Sequence, residues 1–178
     1  MNSVFLNIYK INGYESKQVH SNSNHPDGTR LLLDLYKDNI KINSQEVEWI
    51  YRDKIATLGY IGFNDKGKGK LRLFHNNCVQ IFKESIFEQV ELKPLLDVVT
   101  LWLYLGFQFK RKQEYNNFIL SLIDWIDEND ISFDIDTVNS LETTILIQKL
   151  KDDIIKFEFP SFLNSNNYYV STLYKETV

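Results

Sequence analysis

The spacing of apolar residues changes midway along this chain, and that change limits the fold more than any other feature of the sequence. In the first half they alternate, as at Val47, Trp49 and Tyr51, which is the spacing of a β-strand with one buried face. Beyond Pro94 they recur at every third or fourth position, the spacing of an amphipathic helix. Strands followed by helices are typical of the α+β class. We therefore predict an N-terminal antiparallel β meander packed against C-terminal helices, with one or two closing strands.

The first half of the chain is predicted to form the meander. A polar loop is expected over residues 16–28, ending in Pro26-Asp27-Gly28, whose fixed φ, side-chain acceptor and glycine suit a turn. The turn at Lys37-Asp38-Asn39 favours a hairpin over residues 31–42, with a short helix at 31–36 as the alternative. Strands are expected at residues 4–9, 31–36, 40–42, 47–52, 58–63 and 70–74, with a further candidate at 79–82.

The second half is predicted to form helices. Pro94 suits the first turn of a helix and Gly106 suits its end, and the apolar residues between them indicate a buried helix. A third helix is expected over residues 137–152, and strands at 154–159 and 168–174 would close the fold. The second helix, over 114–128, has an inward stripe of Phe118, Leu122, Trp125 and Ile126, with Ile119 and Ile123 at its margin. The inward residues of the third are Leu141, Ile145 and Leu150.

Length and composition indicate a single domain over residues 1–178. The chain can bury a sizeable core, and with 14% aromatic residues but only 7 Gly and 3 Pro it is poor in linkers. Its lone cysteine, Cys78, cannot form an internal disulfide, which fits a reducing compartment. The N-terminal residues lack the features of a secretory signal, and the apolar stretch 95–109 is shorter than the about 20 residues that span a bilayer. We expect a cytoplasmic protein without a membrane segment.

The net charge of −4 is unevenly distributed. Residues up to Val90 are slightly basic, whereas acids exceed bases from Glu91 onward. Proteins that bind nucleic acid usually present a net basic face, because neutralised phosphates supply most of the non-specific affinity. The acidic balance therefore counts against nucleic acid as the main partner and favours a basic protein.

Two short motifs bear on catalysis or cofactor binding. Residues 62–69 nearly match the phosphate-loop pattern, but Gly69 replaces the hydroxyl that binds magnesium. The alternation at 70–74 also indicates a strand, so we predict a hairpin tip there. His75 and Cys78 are three residues apart and could supply two zinc ligands or a Cys–His nucleophile pair, but His20 and His25 are the only other strong candidate ligands. We predict no cofactor, no metal site and no catalytic residue.

The most distinctive local feature is an acidic segment over residues 124–136, which no Lys or Arg interrupts. Its helical carboxylates are spaced three and four residues apart, so they share one face. A cationic partner would relieve their mutual repulsion, and their field would speed encounter with a basic protein. The alternatives are an ordinary solvated helix face, with the two aromatic residues in the core, or a calcium loop, whose glycine and ligand spacing are missing. The candidate partner-binding residues are Asp124, Trp125, Asp127, Glu128, Asp130, Phe133, Asp134 and Asp136.

In overall profile the chain resembles the immunity proteins of bacterial contact-dependent and polymorphic toxin systems. The resemblance rests on the acidic segment with Trp125 and Phe133, in a small, acidic chain without catalytic motifs. It implies a non-enzymatic cytosolic protein that binds and neutralises a cognate toxin, often a basic nuclease. Two alternatives remain open: a nucleic-acid-associated module that uses the sheet aromatics with Lys66, Lys68 and Lys70 or Lys110, Arg111 and Lys112, and an enzyme with an unrecognised carboxylate or Cys78 centre.

Overall fold

The computed structural model describes residues 2–11, 13–43, 45–60, 70–93, 99–156 and 172–177. Within these ranges the protein has seven helices and eight strands, and the predicted α+β class is confirmed. Its contacts divide it into two compact units. The first unit comprises Met1–Lys93 and Lys175–Val178, and the second comprises Pro94–Tyr174. The single-domain organisation stays a prediction.

The first unit is built on the predicted meander. Antiparallel pairs join β1 to β2, β2 to β3, β2 to β4 and β4 to β5, whereas β5 and β6 are parallel, so the strand order is β1-β2-β4-β5-β6 with β3 against β2. These elements are α1 (Asn2–Ile11), β1 (Glu15–His25), β2 (Gly28–Lys37), β3 (Ile40–Lys41), β4 (Val47–Arg52), β5 (Ile55–Tyr60), α2 (Lys70–Lys83) and β6 (Gln89–Leu92).

The predicted strand at residues 4–9 is wrong, because this segment forms helix α1. Phe5, Ile8 and Tyr9 are fully buried, and their spacing of three and four residues places them on one helical face. The helix ends at Gly13, whose φ of 75° is the left-handed conformation that glycine adopts without strain. Nearly every residue of the segment is apolar, so strand and helix spacing could not be separated by pattern.

The polar loop predicted over residues 16–28 is also wrong, because most of it forms strand β1. β1 pairs with β2 from Glu15 opposite Tyr36 to His25 opposite Gly28, and most of its side chains are exposed. A strand with two wet faces has no apolar alternation to reveal it. The predicted turn at Pro26-Asp27-Gly28 is confirmed, and Gly28 is required there because a Cβ would lie 2.4 Å from the Tyr51 carbonyl oxygen.

The hairpin predicted over residues 31–42 is confirmed in β2 and β3. Leu31, Leu33 and Leu35 are fully buried, and the turn residues Asp38 and Asn39 have φ angles of 52° and 64°. Both residue types tolerate this left-handed conformation, which a two-residue hairpin turn requires.

Helix α2 replaces two predicted strands, at residues 70–74 and 79–82. Buried Cys78 and Phe82, four residues apart, lie on its inner face. Helix α2 connects the parallel strands β5 and β6 and follows the glycine-rich stretch. The strand predicted at residues 70–74, on which the predicted hairpin tip depended, is therefore absent. Residues 61–69, with Lys66 and Lys68, lie outside the described residues.

Helices α1 and α2 pack on the meander through aromatic rings. The ring centroid of Phe5 lies 5.1 Å from that of Trp49 in β4, and Trp49 lies 5.6 Å from Phe82. Phe87 joins the cluster at 5.4 Å from Phe5. The chain returns to this unit at Thr177, whose hydroxyl donates a hydrogen bond to the Phe87 carbonyl (2.7 Å).

The second unit contains most of the predicted helices. Its strand β7 is antiparallel to the first residues of β8, with Phe109 opposite Leu173. Gly106, at φ 91°, follows α3 as predicted, although residues 94–98 lie outside the described ones. No helix in the described ranges has the length and hydropathy to span a membrane. The elements from here on are α3 (Val99–Tyr104), β7 (Gln108–Phe109), α4 (Lys112–Glu128), α5 (Ile135–Ser140), α6 (Thr143–Lys149), α7 (Lys151–Lys156) and β8 (Leu173–Glu176), of which β8 has only Leu173 and Tyr174 in the second unit.

The single helix predicted over residues 137–152 is three short helices, α5, α6 and α7. The breaks fall at Leu141, in extended conformation, and at Leu150. Leu150 is buried as predicted, but Leu141 is half-buried and Ile145 is 42% exposed. Residues 154–156 belong to α7 instead of the predicted strand, whereas 157–171 lie outside the described residues. One closing strand, β8, is described.

Candidate acidic interface

Helix α4 positions the first three carboxylates of the acidic segment. The predicted end of this helix at Glu128 and its inward stripe are confirmed, since Phe118, Ile119, Leu122, Trp125 and Ile126 are buried, but the helix begins two residues earlier than predicted, at Lys112. Asp124, Asp127 and Glu128 are exposed and lie three and four residues apart, so they form one charged face.

Trp125 does not lie at the surface. Its side chain is 2% exposed and belongs to the buried stripe of α4, so it is a core residue and cannot be an aromatic anchor on this surface. Phe133, in the loop after α4, is half-buried and leaves part of its ring accessible. The sequence places Trp125 both in the inward stripe of α4 and among the candidate partner-binding residues. Its burial supports the first of these two roles.

Asp130 ends α4 in a strained conformation. Its φ is 51°, and its N–H donates to the Asp127 carbonyl, while the Ile131 N–H donates to the Ile126 carbonyl (3.0 Å). These two bonds form a Schellman motif, in which glycine is the usual left-handed residue. Asp130 is exposed and carries charge at a position where backbone geometry favours glycine.

Asp134 and Asp136 have a structural role that accounts for their charge. Asp134 is the N-cap of α5: one carboxylate oxygen accepts from the Asp136 N–H (3.1 Å) and the other from the Thr137 hydroxyl (3.1 Å). Asp136 lies in the first turn of α5, where the backbone dipoles favour negative charge. These two acids are exposed, but their positions are explained by the fold.

Most charges at the two ends of α4 run against its dipole, with Glu114 in the first turn as the favourable exception. The helix begins beside exposed Lys110, Arg111 and Lys112 and ends with exposed Asp124, Asp127 and Glu128, with no base in its last turn. The N-terminus of a helix carries partial positive charge and the C-terminus partial negative charge, so each misplaced charge costs about 0.3–1 kcal/mol at low ionic strength. In the described part of the chain, the ion pairs involve other acids: Glu48, Asp34, Glu88 and Glu114.

Leu120 is a surface residue that the sequence analysis missed. It is 60% exposed and lies four residues before Asp124, on the same face of α4. The signal was present in the sequence, because Leu120 is a large apolar residue outside the inward stripe. It places an apolar side chain directly beside the exposed carboxylates.

Of the other candidate residues, Cys78 lies on α2, His20 and His25 lie on β1, and the side chain of His75 lies outside the described residues. Cys78 is buried on α2, and burial raises the pKa of its thiol well above the usual value, which disfavours the nucleophilic thiolate. His20 is exposed on β1, and His25 Nδ1 accepts from the Asp27 N–H (3.2 Å). Within the described ranges, no group of three or more His, Cys, Asp or Glu residues is arranged to hold a metal ion.

The aromatic residues of the sheet are largely covered. Trp49 is 1% exposed beneath Phe5 of α1, and Tyr51 is half-buried against the same ring (5.2 Å). Single-stranded nucleic acid binds such proteins by stacking its bases on accessible aromatic faces. This face of the described sheet is occupied by the protein's own helices.

No protein-family model matches this chain, and no curated protein matches it either.

Proposed function

We propose that this chain is a non-enzymatic binding protein that occludes and neutralises a basic protein, as the immunity proteins of bacterial toxin systems do. The partner that fits the proposal is a cytoplasmic toxin domain with a basic active-site region, such as a nuclease. The contact surface consists of the exposed end of α4 with Asp124, Asp127 and Glu128, together with Asp130.

The reversed charge of α4 is the observation that carries the proposal. Asp127 and Glu128 lie in the last turn and oppose the helix dipole, and Asp124 adds a like charge one turn earlier, which disfavours the isolated protein. A cationic partner removes both penalties on binding. Proteins commonly retain such unfavourable features where function requires them.

Leu120 adds an exposed apolar side chain to the proposed contact surface. Protein interfaces combine an apolar centre with a polar rim, and the burial of one large side chain supplies affinity that exposed charges alone do not. Leu120 and Asp124 lie one helical turn apart, so one partner could contact both. The carboxylates then steer the encounter and Leu120 contributes to holding the complex.

The test compares two triple charge reversals in a pull-down from a lysate of the organism that encodes the chain. The interface variant is Asp124→Lys/Asp127→Lys/Glu128→Lys, and wild type should retain a stoichiometric basic protein that this variant loses. The retained protein should dissociate more readily at about 1 M than at about 0.15 M salt, because the screening length falls from about 8 Å to about 3 Å. Mass spectrometry identifies the retained protein.

A matched control changes net charge equally at other exposed positions: Glu15→Lys/Glu46→Lys/Glu84→Lys. It should retain the partner, because these acids lie outside α4. The interface variant should melt no lower than wild type, since lysine is favourable at a helix C-terminus. Equal retention by both variants would remove the acidic surface from the proposal, and recovery of nucleic acid or of no partner would contradict the proposed function.

A further inference from the structure

The second unit contains a pocket that the proposed function does not use. It has a volume of about 480 Å³ and lies among β7, the start of α4 and the start of α6. Pockets that bind small organic ligands typically have volumes of about 300–1,000 Å³. All the side chains lining it belong to the described part of the second unit, and none lies in the acidic segment.

One wall of the pocket is aromatic. Phe109 and Tyr115 both line it and are half-buried, so each ring is partly exposed. Their centroids lie 6.3 Å apart in an edge-to-face arrangement, and Phe118 supports Phe109 from within at 5.2 Å. Rings held in this way offer a rigid apolar surface to a planar ligand.

The polar lining of the pocket contains both positively and negatively charged residues. Lys110 and Lys112 line the pocket together with the aromatic residues, and so does Glu142, the N-cap residue of α6. Thr143 and Thr144, which follow Glu142 in the chain, also line the pocket, and threonine hydroxyls can donate or accept hydrogen bonds. A ligand that satisfies this lining needs an anionic group, a flat apolar ring and an N–H donor.

We propose that this pocket binds a nucleoside monophosphate whose base carries an exocyclic amino group. The phosphate contacts Lys110 and Lys112, the base packs on Phe109 and Tyr115, and the amino group donates to Glu142. The pocket volume of about 480 Å³ is within the range for a ligand of nucleotide size. The site is separate from the acidic segment, so the ligand proposal does not depend on the proposed function.

The test is calorimetric titration of the whole chain with AMP, adenosine, inosine monophosphate and inorganic phosphate. AMP should bind saturably with one site per chain, and each of the other three should bind more weakly. Adenosine lacks the phosphate, inosine monophosphate lacks the amino group and phosphate lacks the base. Absence of saturable AMP binding up to about 5 mM would overturn the proposal, since that range covers even weak ligands.

Two variants with equal charge change locate the site. Lys110→Ala/Lys112→Ala should weaken AMP binding about tenfold, since exposed charge pairs are individually modest. Lys149→Ala/Lys151→Ala, at exposed lysines outside the pocket, should change it less than about twofold. Equal weakening in the two variants would show non-specific charge attraction and overturn the pocket. Equal affinity for AMP and inosine monophosphate would overturn the role of Glu142.

Discussion

At the scale of single residues, one buried hydrogen bond ties the N-terminal helix to the sheet. The Trp49 indole N–H donates to the Tyr9 hydroxyl at 2.8 Å, and both side chains are at most 1% exposed. A buried donor without an acceptor loses its hydration without compensation. The polar end of each ring is therefore satisfied inside an otherwise apolar cluster.

Tyr9→Phe should lower the free energy of unfolding by about 1–3 kcal/mol, because the Trp49 N–H would remain buried without this acceptor. Urea denaturation monitored by far-UV circular dichroism measures the change. The control is the same substitution in a Trp49→Phe background, where the donor is already absent and the loss should be smaller. Equal losses in the two backgrounds would mean that the hydrogen bond does not couple these residues.

Several local features were predicted correctly from residue identity alone. The turns at Asp38-Asn39 and Pro26-Asp27 depend on backbone preferences of the residues themselves, and both are present. The burial of Trp125 was not decided by its own chemistry, since tryptophan suits both a core and an interface. Its position on α4 relative to the other buried residues decides it.

At the scale of elements, the end of α4 combines backbone strain with unfavourable charge. Asp130 adopts φ 51° at the position where glycine is preferred, and its carboxylate lies next to the negative end of the helix. Both effects act on the same residue and can be separated by substitution.

Asp130→Gly should raise the free energy of unfolding by about 0.5–1 kcal/mol, because it removes the left-handed strain and one negative charge. The greater freedom of glycine in the unfolded chain offsets part of this gain. Asp130→Asn, which removes only the charge, is the control and should be less stabilising than glycine. Thermal and urea unfolding measure both. If asparagine stabilised as much as glycine, backbone strain at this position would be negligible.

Elements with contrasting apolar and polar faces were predicted well, and elements without contrast were not. α4 has five buried residues at helical spacing and β4 has alternating burial at Val47 and Trp49, and both were located from the sequence. The central residues of α1, at positions 4–9, are apolar except for Asn7, and β1 is polar except for Val19, so neither segment shows a clear helix or strand periodicity. The acidic face of α4 followed from its correct register, although Leu120 was overlooked.

At the scale of the whole molecule, buried ionisable groups make stability depend on pH. Burial raises the pKa of Tyr9 well above its usual value, with a further contribution from Cys78 and an opposing one from the Trp49 hydrogen bond. Burial likewise raises the pKa of Cys78. In the folded state both groups stay protonated at pH values where the unfolded chain loses protons, so the folded state binds more protons.

The free energy of unfolding should therefore fall as pH rises above the unfolded values of about 8.5 for cysteine and about 10 for tyrosine. The stabilisation is complete below those values and is lost as pH rises through the folded pKa values. Urea denaturation at several pH values from neutral to alkaline measures the slope. Cys78→Ala should reduce the slope of the free energy of unfolding against pH, first at pH values just above the unfolded cysteine pKa. An unchanged slope in that variant would contradict the assignment.

Lys175 contributes with the opposite sign. Burial lowers the pKa of Lys175, with a smaller effect of Lys83. At pH values between the folded pKa and the usual lysine pKa, the unfolded chain therefore binds more protons at this residue than the folded state does. Lys175 thus raises the free energy of unfolding as pH rises through that interval. The comparison of Cys78→Ala with wild type isolates the thiol, because both proteins contain the same lysine.

The sequence by itself determined the α+β class, the meander strands β2 and β4, half of β5, the C-terminal boundary of α4 and the exposure of its carboxylates. These features follow from local periodicity and turn chemistry, which neighbouring residues specify among themselves. Only the tertiary structure decided that residues 2–11 and 70–83 are helices, that 15–25 is a strand, that Trp125 is core and that a pocket forms beside Lys110 and Lys112. Those outcomes depend on which surface each segment packs against, and residues distant in sequence supply that surface.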